Sequence, residues 1–151
     1  MHPSTVIVRE AITDDADAMA RLCTQLGYPS ESPAIPGRLE RLRADRNARV
    51  YVADSGGTIV GLTTIHLRDT INHDAPIAQL TLLVVDEANR TRGVGRALVQ
   101  AAETFARDRG SNRMTVTTAL NRADAHAFYE RIGYAQTGRR YGKDFSPPRT
   151  T

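Results

Sequence analysis

Three arginines and two glycines lie where an apolar run passes into a helical pattern, in the stretch DEANRTRGVGRAL (Asp86–Leu98). Positive charge comes from Arg90, Arg92 and Arg96, and the backbone at Gly93 and Gly95 is not covered by a side chain. At a strand-to-helix turn the first helical N–H groups point outward, at the positive end of the helix dipole. Glycine lets an anion approach those groups closely. The stretch therefore predicts a phosphate-binding turn.

The spacing of the glycines excludes two common nucleotide motifs. The P-loop pattern GxxxxGK[ST] is absent, and Leu98 stands where a dinucleotide-binding GxGxxG motif has its third glycine. The remaining pattern is Arg90-x-x-Gly93-x-Gly95. A tight turn that only needs flexible residues stays open as a simpler interpretation of the two glycines.

A second stretch, NRADAHAFYERIGY (Asn121–Tyr134), follows further along the chain. The two stretches resemble the acyl-CoA pyrophosphate motif Q/R-x-x-G-x-G/A and the signature N-x-x-A-x-x-x-Y-x-x-x-G-F/Y of the GNAT superfamily of N-acetyltransferases. Their order, and the order of elements along nearly the whole chain, also match that family. The resemblance implies acetyl-CoA as cosubstrate, with no metal.

The resemblance also implies where the cosubstrate binds. Its pyrophosphate would lie on the backbone N–H groups of Arg92 through Ala97, and its pantetheine arm would pair with the backbone of Leu83 and Val85 like an added strand. Asn121 would lie near the arm, or serve as a helix N-cap. The arginines could instead remain solvated. The full predicted cosubstrate-binding set is Leu83, Val84, Val85, Arg90, Thr91, Arg92, Gly93, Val94, Gly95, Arg96, Ala97, Asn121, Ala125 and Phe128.

Tyr129 matches the family tyrosine that protonates the departing CoA thiolate. A phenol with a pKa of about 10 and a thiol with a pKa of about 8.5 are close enough for a nearly balanced proton transfer. Tyr129 also recurs with Ala125, Phe128 and Ile132 at helical spacing, which is typical of a residue that only packs in the core. The resemblance favours the catalytic role.

The proton acceptor for the attacking amine is left open. Many family members carry a glutamate where this chain has Gln79, and an amide is no base. Gln79 is the predicted catalytic partner through a water that it orders with Thr81. His66, His73 and His126 are the alternatives, because histidine titrates near neutral pH, although each could be an ordinary polar surface residue.

Two polar loops, GYPSESPAIP (Gly27–Pro36) and LRDTINHDAP (Leu67–Pro76), match the loops that usually form the acceptor pocket of the family. Carboxylates in them favour a cationic amine, such as a polyamine, an aminoglycoside or a peptide, whereas Arg68 and the basic balance favour an amino acid or another amine that carries a carboxylate. That choice stays open. The predicted substrate-binding residues are Tyr28, His66, Asp69 and His73.

The expected reaction is acetyl transfer to the amine of a small molecule or peptide by direct attack in a ternary complex. Cys23, the single cysteine, lies on an apolar helical stripe, which disfavours an acyl-cysteine intermediate. A non-catalytic acyl-CoA sensor of the same fold is the alternative. Nucleic acid is not an expected partner, because the net charge is only +3 and 5% of residues are aromatic.

The composition fits one domain spanning residues 1–151, with a core from about 5 to 145: 40% of residues are hydrophobic and 25% are charged. One cysteine excludes a disulfide within the chain and a CxxC metal site. No apolar run approaches about 20 residues, so no membrane association is expected and a cytoplasmic location is predicted.

The chain alternates between strand and helix patterns in the order β-α-α-β-β-β-α-β-α-β-β, which predicts an α/β (α+β) domain with a mixed central sheet. Thr13 is the expected N-cap of the first helix and Gly27 its C-terminal glycine. In IAQLTLLVV (Ile77–Val85) alternation breaks after Leu82, which predicts a bulged, splayed strand or one buried on both faces. Two closing strands, YAQTGRR and YGKDF, could pair across a homodimer.

Overall fold

The computed structural model describes residues 5–90, 93–117 and 123–146. Packing divides the chain into two compact units, Met1–Val116 and Thr117–Thr151. Among the described residues, the first unit contains the sheet and three α-helices, and the second contains the last α-helix. The single domain over residues 1–151 stays a prediction.

A five-stranded mixed sheet forms the centre of the first unit. The first four strands pair antiparallel with their neighbours, and the last pair is parallel. The strands lie in the sheet in sequence order, and this arrangement confirms the predicted mixed sheet with its parallel crossover. The strands are β1 (Val6–Glu10), β2 (Ala48–Ser55), β3 (Thr58–Arg68), β4 (Ile77–Val85) and β5 (Met114–Val116).

Helices cover both faces of this sheet. The helices α1 (Ala16–Leu26) and α2 (Ile35–Ala44) pack on one face, and α3 (Val94–Asp108) packs on the other. The α1/α2 face is apolar along most of its length, since side chains of alternate strand residues meet the helices there. Its buried residues include Met19, Leu22, Leu39, Val52, Leu62 and Val84.

Gly61 brings α3 close to β3. A Cβ atom at this position would lie 2.8 Å from Leu98 Cδ1 and 3.0 Å from Val94 Cγ1, both of which belong to α3. Leu98 and Val94 are buried against Val60 in the core of this face. The absent side chain therefore fixes how closely the first turns of α3 approach the sheet.

The start of α1 differs from its prediction. Thr13 is not the N-cap: it begins a 3-10 turn, Thr13–Asp15, and α1 starts at Ala16. Asp15 is the N-cap residue by position, without a side-chain bond to the N–H groups of α1. Its carboxylate instead accepts the N–H of Ile12 at 2.9 Å and two hydrogen bonds of 2.9 Å from Arg9. Gly27 ends the helix with a φ of 107°, as predicted.

The predicted bulge in β4 is confirmed. Thr64 of β3 pairs with Leu82 and Ile65 pairs with Leu80, which leaves Thr81 as the extra residue. The bulge lies one residue before the predicted break, and Thr81 is exposed, so β4 is not buried on both faces there. On the other side, β4 pairs with β5 over Ala78–Leu80 in the described residues.

The two closing strands are not observed in the described part of the second unit, where residues 135–146 form no strand. The segment from Ala135 to Phe145 contains two glycines and a single β-branched residue, Thr137, so its strand propensity is weak. The homodimer inferred from them stays a prediction. No α-helix built by the described residues is long and apolar enough to cross a membrane.

Candidate active site

The turn between β4 and α3 presents helix N–H groups in the way that its sequence predicts. Gly93 is the N-cap of α3 with a φ of 77°, a left-handed conformation that glycine adopts without strain. Its carbonyl accepts the N–H of Ala97 at 3.1 Å. The N–H groups of Val94, Gly95 and Arg96 come before this bond, at the positive end of the helix dipole.

Two predictions for this turn need correction. The N–H of Ala97 is engaged within the helix, so it is not available to a phosphate. Arg90 was predicted to touch a phosphate, whereas in the structure its Nε donates to the carbonyl of Val85 at 3.4 Å. Arg96 is exposed, as a phosphate contact would require. Thr91 and Arg92 lie outside the described residues.

The last residues of β4 present a backbone edge that pairs with no other strand among the described residues. The N–H of Asp86 donates to the carbonyl of Val60 at 2.8 Å, and these two residues lie directly opposite in the register that pairs Gly61 with Val85. Hydrogen-bonding direction alternates along an antiparallel strand. The backbone of Leu83 and Val85 therefore points away from β3, toward the side of β5.

Val84 was predicted to contact the cosubstrate, and its geometry argues against that. Its backbone points toward β3 by the same alternation, and its side chain is buried in the core of the α1/α2 face. Val84 is a packing residue. Leu83 and Val85 are the two positions at which an extended ligand could add to the strand.

Asp86 anchors the turn to α1. Its carboxylate accepts a hydrogen bond from Gln25 Nε2 at 3.1 Å and lies 3.6 Å from Arg21 NH1. Its carbonyl accepts the N–H of Asn89 at 2.8 Å, which shapes the 3-10 turn that follows β4. Sequence reasoning missed this contact, since α1 and Asp86 are far apart in the chain and only the folded sheet brings them together.

A polar cluster lies on the α1/α2 face at the bulge of β4; we call Thr64, His66, Gln79 and Thr81 the bulge cluster. His66 and Gln79 are directly opposite in the β3–β4 register. Thr81 Oγ1 lies 2.6 Å from Thr64 Oγ1 and 3.2 Å from His66 Nδ1. The structure thus brings the predicted Gln79 and His66 together, and it adds Thr64, which the sequence did not indicate.

The other predicted acceptor residues lie in loops. His73 Nδ1 contacts Thr70 Oγ1 at 3.0 Å and Asn72 Oδ1 at 3.2 Å, so its described contacts stay within its own loop. Tyr28 is 64% exposed after the end of α1, and Asp69 is exposed after β3. The described hydrogen bonds connect none of these three residues to the bulge cluster.

The second unit contains α4 (Ala123–Arg131) and Tyr129, which is buried with 9% of its surface exposed. Its ring packs edge to face with Phe128 at 5.3 Å and with Tyr134 at 6.0 Å between centroids. Burial raises the pKa of Tyr129 to about 12. The pKa of Tyr129 therefore lies further above that of a thiol than the ordinary phenol value of about 10 predicts.

The remaining predicted residues of this unit divide into two groups. Ala125, His126 and Phe128 are half-buried on α4. Asn121 lies outside the described residues. Cys23, in the first unit, is partly buried, and burial raises the pKa of its thiol, which makes a nucleophilic thiolate less available.

Comparison with known proteins adds the following matches. The model of the acetyltransferase (GNAT) family matches residues 14–134. Aminoalkylphosphonate N-acetyltransferase of Salmonella typhimurium is 31% identical over 137 residues, which cover 90% of this chain and 89% of that protein. Aminoglycoside N(6')-acetyltransferase type 1 of Stenotrophomonas maltophilia is 29% identical over 143 residues and 92% of both chains.

A solved structure shares the fold. The crystal structure of aminoglycoside N-acetyltransferase AAC(6')-Iy in complex with CoA superposes with a TM-score of 0.84. The match covers 95% of this chain and 96% of that chain, at 19% sequence identity. At this identity the likeness establishes the architecture.

Proposed function

The chain belongs to the acetyltransferase (GNAT) family, and we propose that it transfers the acetyl group of acetyl-CoA to the amine of a small molecule or peptide. One observation carries the proposal: the outward backbone edge of Leu83 and Val85 is followed along the chain by the N-terminus of α3. A ligand with an amide-bearing arm and a pyrophosphate at one end is complementary to an open strand edge followed by helix N–H groups.

Each part of acetyl-CoA has a proposed place on these residues. The pyrophosphate accepts hydrogen bonds from the N–H groups of Val94, Gly95 and Arg96, with Arg96 adding charge. The amides of the pantetheine arm pair with the backbone of Leu83 and Val85, which requires Arg90 to release its long bond to the Val85 carbonyl. The arm then runs back along β4, from the turn toward the bulge.

The proposed chemistry is direct attack. The amine nitrogen adds to the thioester carbonyl, the C–S bond breaks, and the CoA thiolate takes a proton from Tyr129. The nitrogen releases a proton to solvent as it becomes an amide, and the Tyr129 phenolate regains one from solvent. The raised pKa of Cys23 favours this route over an acyl-cysteine intermediate. A desolvated site also raises the pKa of the leaving thiol, because burial disfavours the thiolate. The difference in pKa between this thiol and the buried Tyr129 phenol becomes smaller as a result.

The names of the relatives indicate only a broad class of acceptor. One relative is named for aminoalkylphosphonates, which carry an anionic group beside the amine, and another for aminoglycosides, which are polycations. Both are small molecules with a free amine. We therefore infer a small-molecule amine as the first acceptor to test, with peptides second.

The test combines binding and turnover. CoA at 100 times its Kd should stabilise the protein by about 2.7 kcal/mol. Gly95→Val should abolish that shift, because a larger residue at this position prevents the close approach of a phosphate to the helix N–H groups. Arg96→Ala should only weaken it. Thiol release from acetyl-CoA is then followed over aminoalkylphosphonates, aminoglycosides and peptides.

The outcomes separate the alternatives. Amine-dependent thiol release supports the enzyme. A thermal shift with CoA but no thiol release with any amine favours the acyl-CoA sensor. The presence of Gln79 in place of a glutamate is consistent with that alternative. No shift with CoA or acetyl-CoA would remove both interpretations.

A further inference from the structure

We propose that His66 is the proton acceptor for the attacking amine and that Thr81 relays the proton to it. The inference rests on the proposed acetyl transfer, and it assigns the role that Gln79 cannot fill. It starts from the bulge cluster, where one hydroxyl, Thr81 Oγ1, lies within hydrogen-bond distance of both His66 Nδ1 and Thr64 Oγ1.

The bulge is what makes this contact possible. Thr81 is the extra residue of β4 between the pairs Thr64–Leu82 and Ile65–Leu80. A bulge re-aims the side chain of its extra residue. The hydroxyl of Thr81 here reaches across to two residues of β3 instead of standing opposite one of them. Thr81 is exposed and His66 half-buried, so a proton can leave the cluster to water.

Thr81 lies at the point of β4 that the thioester end of a bound acetyl-CoA would reach in the proposed binding mode. An arm held at the start of α3 and paired with Val85 and Leu83 continues toward Thr81, which lies four residues from Val85, about 13 Å along the strand. Thr81 belongs to the strand that borders this arm. His66 belongs to β3, about 4.8 Å further away. The geometry therefore favours a relay through Thr81 over direct contact between His66 and the amine.

The hydrogen bonds allow a balanced transfer. Thr81 Oγ1 lies within hydrogen-bond distance of His66 Nδ1 and Thr64 Oγ1, and 3.4 Å from the Thr64 carbonyl oxygen. In the proposed relay, neutral His66 accepts at Nδ1 from the Thr81 hydroxyl, and Thr64 Oγ1–H donates to Thr81 Oγ1. The ammonium gives its proton to a water, the water gives one to Thr81, and the Thr81 hydroxyl proton passes to His66 Nδ1. The free amine then attacks, and the His66 imidazolium loses its proton to solvent from Nε2.

The groups around His66 are mostly neutral. Ala48 of β2 and Gln79 of β4 lie opposite it in the two registers. Along β3, Thr64 and Arg68 are its neighbours on the same face, and Arg68 carries charge. Beyond Ala48, the adjoining cavity is lined by charged side chains of α2, β1 and β2, namely Arg43, Glu10 and Arg49.

The experiment measures kcat and KM against pH for the wild type, His66→Gln, Thr81→Val and Thr81→Ser, with an amine that supports thiol release. Both His66→Gln and Thr81→Val should lower kcat about 100-fold or more with little change in KM for acetyl-CoA, and His66→Gln should change the dependence of kcat on pH. Thr81→Ser should retain most activity, because it keeps the hydroxyl.

Thr104→Val is the matched control, since its hydroxyl donates to the Gln100 carbonyl on α3 at 3.0 Å, apart from the cluster; it should match the wild type. A CoA-induced thermal shift checks that each variant is folded. Should His66→Gln be unfolded, Thr81→Val decides by the same profile. A folded His66→Gln or Thr81→Val with wild-type kcat and pH profile overturns the relay, whereas a wild type without amine-dependent thiol release overturns the proposed function itself.

Discussion

Tyr129 is the single residue on which the release of CoA depends in the proposed mechanism. Its burial disfavours the phenolate, and this raises the pKa of the group to about 12. Tyr129 therefore keeps its proton throughout the neutral range. The same burial makes it a weaker acid, so it can act only where the leaving thiolate is desolvated too.

Replacing Tyr129 by Phe should lower kcat by about 10²–10⁴-fold, because the ring packing against Phe128 is kept and only the proton donor is lost. Stability should change little. The measurement is kcat against pH, with Tyr134→Phe as control because its ring meets Tyr129 edge to face. Full activity of Tyr129→Phe with an unchanged pH profile would contradict the assignment.

Single residues also show what the sequence could and could not indicate. Gly93 could be placed at the turn before α3, since a glycine between a strand pattern and a helical pattern is typical of such a turn. The contact of Thr64 with Thr81 could not be predicted, because it depends on a one-residue shift between β3 and β4. No local pattern encodes which strand residue meets which across a bulge.

At the scale of elements, the contact of α3 with β3 sets where the helix N-terminus lies. The alternation and the glycine turns were sufficient to predict the order of elements from β1 to α4, but not the start of α1, and the two predicted closing strands are not observed among residues 135–146. The close approach at Gly61 was not predictable, because it depends on which helix residues cross that point of the sheet. The anchoring of the turn by Asp86 depends on tertiary contact in the same way.

Gly61→Ala should destabilise the protein by about 1–3 kcal/mol, because the new methyl overpacks against Leu98 and Val94. It should also weaken CoA binding by displacing the start of α3. Gly37→Ala in α2 is the matched control: nothing lies within 4 Å of the added Cβ, so a gain of about 0.5–1 kcal/mol is expected. Urea unfolding measures the stability of both variants, and CoA titration measures their affinity for CoA. Equal changes in the two variants would contradict the packing account.

At the scale of the whole molecule, acid stability is connected to one buried carboxylate. Arg9 holds Asp15 with two bonds of 2.9 Å and also reaches Asp54 at 3.3 Å, so β1, β2 and the start of α1 share one ionic cluster. The hydrogen bonds from Arg9 lower the pKa of Asp15 below its ordinary value, against the opposing effect of burial.

A lowered pKa in the folded state means that the stabilisation is present above the unfolded pKa, about 3.9, and is lost as the pH falls through the folded value. Asp15→Asn should cost about 1–3 kcal/mol at pH 7, and its difference from the wild type should shrink below about pH 4. Urea unfolding at pH 7 and pH 3 tests this. The exposed Asp14→Asn should behave like the wild type; a pH-independent difference for Asp15→Asn would contradict the linkage.

The measurement that tests the central claim most directly follows the acetyl group itself. Acetyl-CoA labelled with ¹³C in the acetyl carbonyl is incubated with the protein and an aminoalkylphosphonate or an aminoglycoside, and the products are examined by NMR and mass spectrometry. The account predicts the label in an amide on the acceptor nitrogen, with one free CoA thiol for each amide formed. Label found only in acetate or unchanged acetyl-CoA, with every amine tested, would contradict it.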